Sequence, residues 1–347
     1  MLLQTPIELE DALKQRGRGT LLIDVRTPLE FAEATIPGAV NVPIFSNEER
    51  ALVGTTFKQQ GKMAARRLGV DLVSPRIPEL IRMVDEARQG HPGPVLVFCW
   101  RGGMRSLAIT SFLNLAGIPA RQLSGGHKGF RRMIVAYFER CQWPPIYVLR
   151  GLTGVGKTRV LHALSRQNLP VVDLEGLANH RGSAFGALGL QPQPSQKMFE
   201  ALLWDRLDRL NDEKFLLTEG ESLHIGRLMV PKRFHQAMQV QTSLWLTASL
   251  ETRTQIILEE YPALDQLREQ FEKPLASLKE RLGKEKLNEL KDLLKRGEWH
   301  SLVRELMVYY YDPLYLHTLP EQRIEIALEP FEQGVNEIVS ALKRLTG

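Results

Sequence analysis

At 347 residues the chain is too long for one ordinary core, which points to two domains. Its 43% hydrophobic and 24% charged content is that of a globular protein, and no apolar run reaches membrane-spanning length. Lys plus Arg exceed Asp plus Glu by 45 − 40 = 5, a mild excess compatible with a polyanionic partner. The two cysteines, Cys99 and Cys141, argue against a disulfide framework or a zinc site and for a reducing compartment.

The first nineteen residues predict a strand and a short helix without signal-peptide architecture, so a cytoplasmic enzyme is the expectation. Residues 21–25 form an apolar strand, followed by Asp24-Val25-Arg26 and an acidic helix start at Pro28-Leu29-Glu30-Phe31. The turn Ile36-Pro37-Gly38 leads into another strand. Residues 47–75 predict one basic helix carrying Arg50, Lys58, Lys62, Arg66 and Arg67, and Ile77, Leu80, Ile81 and Val84 give helical spacing over 77–89. After the Gly90-His91-Pro92-Gly93-Pro94 break, the apolar run 95–98 ends at Cys99, and Trp100-Arg101-Gly102-Gly103-Met104-Arg105-Ser106 precedes a helix over 107–115. A short strand at 121–123 runs into Ser124-Gly125-Gly126. Alternating strands and helices predict a mostly parallel α/β sheet.

A cysteine at the mouth of a glycine-rich loop, with inward N–H groups, Arg101, Arg105 and a helix N-terminus nearby, should be an activated thiolate in an anion cradle. The plainer alternative is a small buried residue closing a strand. The strand and turn at 21–43, the Cys99 loop and Leu123-Ser124-Gly125-Gly126-His127 together resemble a rhodanese domain over roughly the first 140 residues. That resemblance implies a cysteine carrying sulfur or selenium. Two positions depart from it: Thr35 stands where many rhodaneses carry His, and Cys99 to Arg105 is a C-x5-R loop, one residue longer than usual. The longer loop resembles that of rhodanese-related phosphatases and should admit a larger tetrahedral anion such as phosphate or selenophosphate.

A linker, Gln142-Trp143-Pro144-Pro145, separates the second domain. A strand at 146–149 leads to Gly151-Leu152-Thr153-Gly154-Val155-Gly156-Lys157-Thr158, a full G-x-x-x-x-G-K-T loop with a helix at 159–165 behind it. Its N–H groups and helix dipole bind a diphosphate, Lys157 neutralises it, and the Thr158 hydroxyl suits Mg²⁺. A second strand at 170–174 brings Asp173 and Glu175 to the carboxyl end of the sheet, ahead of His180 and Arg181, which are anion or base contacts or else a solvated loop. A third strand, 214–218, ends at Glu219, where a Mg²⁺-directed carboxylate would stand, followed by Glu221; a fourth spans 242–247. The tail is mostly helical, with leucine stripes at 275, 278, 282, 287, 290 and 294, a break at Gly283, and a basic face of Lys284, Lys286, Lys291, Lys295 and Arg296. Tyr309, Tyr310, Tyr311 and Tyr315 are suited either to core packing or to stacking on an unpaired base.

The fold class is therefore α/β: a rhodanese-like parallel-sheet domain at 1–141, a P-loop α/β domain at 142–264, and a helical C-terminal extension at 265–347 packed on the P-loop domain. The Cys99 loop, the P-loop and the Asp173–Gly186 segment in this order closely resemble the tRNA 2-selenouridine synthases, over essentially the whole chain. The resemblance implies tRNA with wobble 2-thiouridine as substrate, geranyl diphosphate and selenophosphate as co-substrates, and no tightly bound cofactor beyond Mg²⁺ at the P-loop. It also implies contact with a selenophosphate-supplying enzyme and no membrane role. Cys99 would carry selenium as S-selanylcysteine beside Arg101 and Arg105. Gly151, Gly154, Gly156, Lys157 and Thr158 would hold the diphosphate, with Glu175, His180, Arg181, Glu219 and Glu221 as substrate or Mg²⁺ contacts. Cys141 reads as passive packing. The alternatives are a rhodanese-type sulfurtransferase or C-x5-R phosphatase coupled to an ATP-binding domain, and a non-catalytic tRNA-binding module switched by nucleotide.

Overall fold

Leu21–Asp24 (β1), up to its last residue Asp24, and Val95–Phe98 (β3) throughout are apolar because both of their faces are covered, as parallel strands between helices require. The computed structural model, which describes residues 5–16, 19–261, 263–316 and 319–346, divides after Arg140 into two compact units. In the first, Val40–Asn41 (β2) and Ala120–Gln122 (β4) complete a four-stranded parallel sheet ordered β2-β1-β3-β4. The expected N-terminal strand reduces to a single bridge between Ile7 and Leu123, and residues 1–4 lie outside the described residues. The helix Pro28–Glu33 starts where Thr27 and Glu30 form a reciprocal capping box. The basic helix Asn47–Val73 is not continuous as expected: Gly61, at φ 87° and ψ 179°, breaks it into two segments. The helix Ile77–Ala87 buries Leu80 and Val84 in the core formed by β1, β3 and the helix Met104–Leu115.

The second unit is a five-stranded parallel sheet whose strands lie in the order Arg323–Ala327 (β11), Ser243–Thr247 (β10), Ile146–Gly151 (β5), Leu216–Glu219 (β7) and Val171–Val172 (β6), with β5 at its centre. Val171–Val172 (β6) is shorter than the expected 170–174, because Asp173 leaves the strand and accepts the Gly176 N–H at 2.7 Å, capping the helix Leu174–Ala178. Leu216–Glu219 (β7) keeps Glu219 inside the strand. The pair His224–Ile225 (β8) and Leu228–Met229 (β9) and the helix Gln196–Asp208 were not anticipated; Ser243–Thr247 (β10) was.

The C-terminal region is largely helical, with a break at Gly283 (φ 75°) and with Leu275, Leu278, Leu287, Leu290 and Leu294 buried as the stripes predict. It is not wholly helical, however. Arg323–Ala327 (β11) pairs along its full length with β10, from Ser243 opposite Arg323 to Thr247 opposite Ala327. The helix Phe331–Thr346 then packs Val335, Ile338, Ala341 and Leu342 into the same core as Val160, Leu161 and Leu164. The last part of the chain thus completes the P-loop sheet. Among the described residues no helix is long and apolar enough to cross a membrane.

Candidate active sites

Cys99 stands at the carboxyl end of β3, 3% exposed, with its loop braced by the first turn of the helix Gly126–Arg140: His127 N–H donates to the Cys99 carbonyl at 2.9 Å and Lys128 N–H to the Trp100 carbonyl at 2.8 Å. Gly126 makes that brace close. Its φ is 54°, and a Cβ there would run into the Cys99 carbonyl. The Gly103 N–H donates to Sγ at 3.3 Å and the Ser106 hydroxyl donates to Sγ at 3.2 Å. Burial pushes the thiol up, but the Ser106 hydroxyl, the amides of Ser106 and Gly103 and the Arg105 charge outweigh it and hold the Cys99 thiol below its ordinary value. Gln122 Nε2 donates to the Ser106 Oγ at 2.8 Å and to the Gly103 carbonyl at 2.9 Å. Gln122 fills an acceptor site on the hydroxyl, whose own proton has two acceptors at 3.2 Å, the Cys99 sulfur and the Gly103 carbonyl.

Arg105 grips Glu30 through both terminal nitrogens, at 2.7 and 3.3 Å. Burial raises the Glu30 carboxyl, and the Arg105 hydrogen bond and charge, with the Thr27 amide, bring it below the usual range. Beneath the loop lies a buried ion pair, Arg26 to Asp24 at 2.6 Å, to which the Thr35 hydroxyl adds a 2.9 Å bond to Asp24. Thr35 therefore serves the scaffold. Arg101 is exposed, and with Arg50, Lys58 and Arg105 it lines a 910 Å³ cavity over Cys99. Sequence reasoning noted Arg50 and Lys58 as basic residues and gave no role to Ser106, Gln122 or Glu30. The signal available was spacing: Arg50, Gly54 and Lys58 recur every four residues and share one helix face.

In the second unit β5 delivers the P-loop at the centre of its sheet. Gly154 has φ 78°, and a Cβ there would stand 2.7 Å from the Arg253 carbonyl. Arg253, 4% exposed, donates to the Thr153 carbonyl at 3.2 Å and pairs with Asp312 through two bonds of 2.8 Å. Neither residue was singled out from the sequence. Lys157 meets Glu175, Arg181, Glu221, Glu260 and Tyr315 around a 60 Å³ cavity. Burial lowers the Lys157 ammonium, but Tyr315 and the surrounding glutamates leave it above the ordinary lysine value.

The Thr158 hydroxyl donates to Glu175 Oε2 at 3.1 Å, and the Glu175 N–H donates to Glu219 Oε1 at 2.7 Å. Glu219 is fully buried and its Oε2 has no partner among the described residues. Burial first, then repulsion from Glu175, push Glu221 up to about 8; burial also raises Glu175, Glu219 and Glu260, with repulsion from Asp173 added at Glu175 and Glu219 and repulsion from Glu175 added at Glu260. Glu260 is a member of this cluster that the sequence did not reveal.

The two loop candidates part company. Arg181 lines the cavity, though its guanidinium is held by the Leu188 carbonyl at 2.8 Å and the Glu260 carbonyl at 3.0 Å, over the Tyr261 ring. His180 does not line it. The ring packs close to Gly186 and Gly226, 8% exposed, with Nδ1 unpartnered among the described residues. A 440 Å³ cavity adjoins the P-loop cavity through Gly182, Ser183, Glu221 and Tyr315, and is walled by Trp245, Tyr310 and Tyr311. Tyrosines of the 309–315 cluster thus line a site, while Tyr309 is 55% exposed. Cys141 lines none of these cavities.

Comparison with known proteins matches residues 5–133 to the rhodanese-like domain and residues 144–345 to the tRNA 2-selenouridine synthase AAA domain. The chain is 35% identical to the tRNA 2-selenouridine synthase of Nitrosomonas europaea, covering 93% of this chain and 95% of the relative. It is 33% identical to that of Shewanella sediminis, over 92% and 93%. Among solved structures, the N-terminal domain of a putative ATP/GTP binding protein from Clostridium difficile 630 is 36% identical, with a TM-score of 0.36, covering 38% of this chain and 99% of that one.

Proposed function

The chain belongs to the tRNA 2-selenouridine synthase family, and from that membership we propose that it converts wobble 2-thiouridine of tRNA to 2-selenouridine through S-geranyl-2-thiouridine. The observation that carries the reading is the pairing of two unlike anion cradles in one chain. One is a thiol held below its ordinary value among cations; the other is a P-loop whose cavity opens onto an aromatic one.

In the first stage the thiocarbonyl sulfur bonds to C1 of geranyl diphosphate, the C1–O bond breaks with its electron pair, and diphosphate leaves while the base loses its N3 proton. Lys157 and the P-loop amides hold the developing diphosphate charge. The residues fit a divalent cation as P-loops use one: the Thr158 hydroxyl and Glu175 are hydrogen-bonded to each other, and Glu219 keeps an orphan oxygen beside them. Among the described residues no three acidic, His or Cys side chains converge to hold a metal unaided. Mg²⁺ would therefore depend on the diphosphate oxygens, and when bound it supplies charge neutralisation of the leaving group.

In the second stage the Cys99 thiolate takes selenium from selenophosphate as phosphite leaves, the terminal selenium attacks C2 of the alkylated base as geranylthiolate departs, and an external thiol attacks Cys99 Sγ, breaking the S–Se bond with its electron pair going to selenium and freeing 2-selenouridine. A thiocarbonyl has no comparable group to lose, so alkylation first is chemically sensible. Arg101, Arg105 and the Cys99 loop amides orient selenophosphate, whose supplying enzyme would deliver it in the cytoplasm.

Mass spectrometry of wobble nucleosides tests both stages. With geranyl diphosphate and selenophosphate added separately to thiolated tRNA, Cys99→Ala should retain geranylation and lose selenation, and Lys157→Ala should lose geranylation. Selenation by Cys99→Ala, or geranylation by Lys157→Ala, refutes the respective assignment. Phosphate release from an aryl phosphate without tRNA would favour a phosphatase instead.

A further inference from the structure

The cavity over Cys99 does not end at its cations. It shares Phe45, Val53, Phe57, Ala65, Met104 and Arg105 with a second cavity of 550 Å³, so the two form one continuous depression. Their linings differ sharply. Arg50, Lys58 and Arg101 line only the Cys99 end, whereas the far end runs between helices over Val70, Val73, Ile77, Ala108 and Phe112. Its three charged lining residues, Lys62, Arg66 and Arg105, are all cationic.

The helix break at Gly61 lets both halves of Asn47–Val73 contribute, Phe57 from one side and Ala65 and Val70 from the other. Three of these residues are more than half exposed: Phe57 at 55%, Met104 at 56% and Val70 at 64%. Large apolar side chains gathered around one concavity, instead of scattered, mark a binding site. Cations at one end and apolar walls at the other suit an occupant that is anionic at one end and carries a short hydrocarbon at the other.

We propose that the apolar end holds the geranyl chain of S-geranyl-2-thiouridine, with the thioether sulfur turned toward Cys99 and the flanking RNA phosphates toward the cations. The proposal rests on the reading above that the geranylated base is the species selenated. A ten-carbon chain fits within 550 Å³, and its burial supplies binding that 2-thiouridine lacks, so the site selects the activated base over the unactivated one.

The test uses the full chain, selenophosphate, and anticodon stem-loop RNAs bearing S-geranyl, S-dimethylallyl or S-methyl 2-thiouridine, with KM and kcat for 2-selenouridine formation read by mass spectrometry. Each methylene buried is worth about fourfold in affinity. KM should therefore rise steeply from geranyl to methyl. Phe57→Ser and Val70→Asp should each raise KM for the geranyl RNA by roughly tenfold or more; Val70→Asp, which lines only the far end, should leave KM for the methyl RNA unchanged, and both should leave the melting temperature unchanged, since both side chains already face solvent. Equal KM for the three RNAs, or geranyl KM untouched by both variants, overturns the assignment while leaving the two-stage reading intact. Failure of the wild type to selenate any alkylated RNA overturns both. A wild-type dimer in sedimentation that Val70→Asp dissociates would give the groove to a second copy of the chain and likewise overturn it.

Discussion

Ser106→Ala isolates what activates the Cys99 thiol. The substitution removes the hydroxyl that donates to Sγ at 3.2 Å; it also takes one of the two acceptors of the Gln122 amide, which keeps its bond to the Gly103 carbonyl at 2.9 Å and so holds the loop in place. A hydrogen bond to a charged group is worth about 1.5–3 kcal/mol, and one pKa unit about 1.4 kcal/mol. The Cys99 pKa should therefore rise by about one to two units. The Gly103 amide and Arg105 remain and keep the shift toward the lower figure. The rate of Cys99 alkylation by iodoacetamide against pH reads the change directly, with Cys141→Ser as background so that Cys99 is the one thiol. An unchanged midpoint would refute the argument: it would mean that the Ser106 proton points to the Gly103 carbonyl, 3.2 Å away, and not to sulfur.

Two further predictions concern the P-loop unit. Glu221 is raised from 4.5 to about 8, so the folded state keeps a proton that the unfolded chain has lost. That contribution is full below the ordinary carboxylate value and lost as pH rises through about 8. Without diphosphate or divalent cation the melting temperature should fall across this window, and Glu221→Gln should flatten the fall; an identical slope in the variant refutes the assignment. Asp312→Asn breaks the bidentate pair that anchors Arg253 under Thr153. Leaving a buried guanidinium half-paired should cost about 3 kcal/mol, or roughly 6–12 °C of melting temperature in a unit of this size, and weaken diphosphate binding. A shift of about a degree or less would mean the pair is dispensable.

What was legible in the sequence was local. The P-loop and the Cys99 loop are written in consecutive residues, and their strands and helices are set by neighbouring apolar runs. What was not legible depends on distant chain. β11 reads Arg-Ile-Glu-Ile-Ala, a short alternating edge strand that looks like one more charged segment until β10 pairs with it. Glu30, Gln122, Arg253 and Asp312 stand 75, 19, 100 and 59 residues from the partners they hold, Arg105, Gly103, Thr153 and Arg253, and no spacing rule marks them. His180 shows the converse: two residues beside each other in sequence, His180 and Arg181, have side chains in different surroundings, since one enters the cavity and the other packs beside Gly226.

The two loops share a backbone plan and differ in electrostatics, and that difference assigns their chemistry. Each sits at the carboxyl end of an inner parallel strand, with a glycine where a side chain would strike a carbonyl. Around Cys99 four cations, Arg50, Lys58, Arg101 and Arg105, face an anion with Glu30 as a single counter-charge on Arg105. Such a site suits a small oxyanion and favours the thiolate form of its cysteine. Around the P-loop, Lys157 and Arg181 stand among Glu175, Glu221 and Glu260. A diphosphate entering there would meet carboxyls whose protonated forms burial favours, and a divalent cation entering with it would offset what charge they keep. In the proposed reaction, carbon–oxygen cleavage would leave the diphosphate more highly charged beside these carboxyls, which would favour its release after Lys157 has held it through the step.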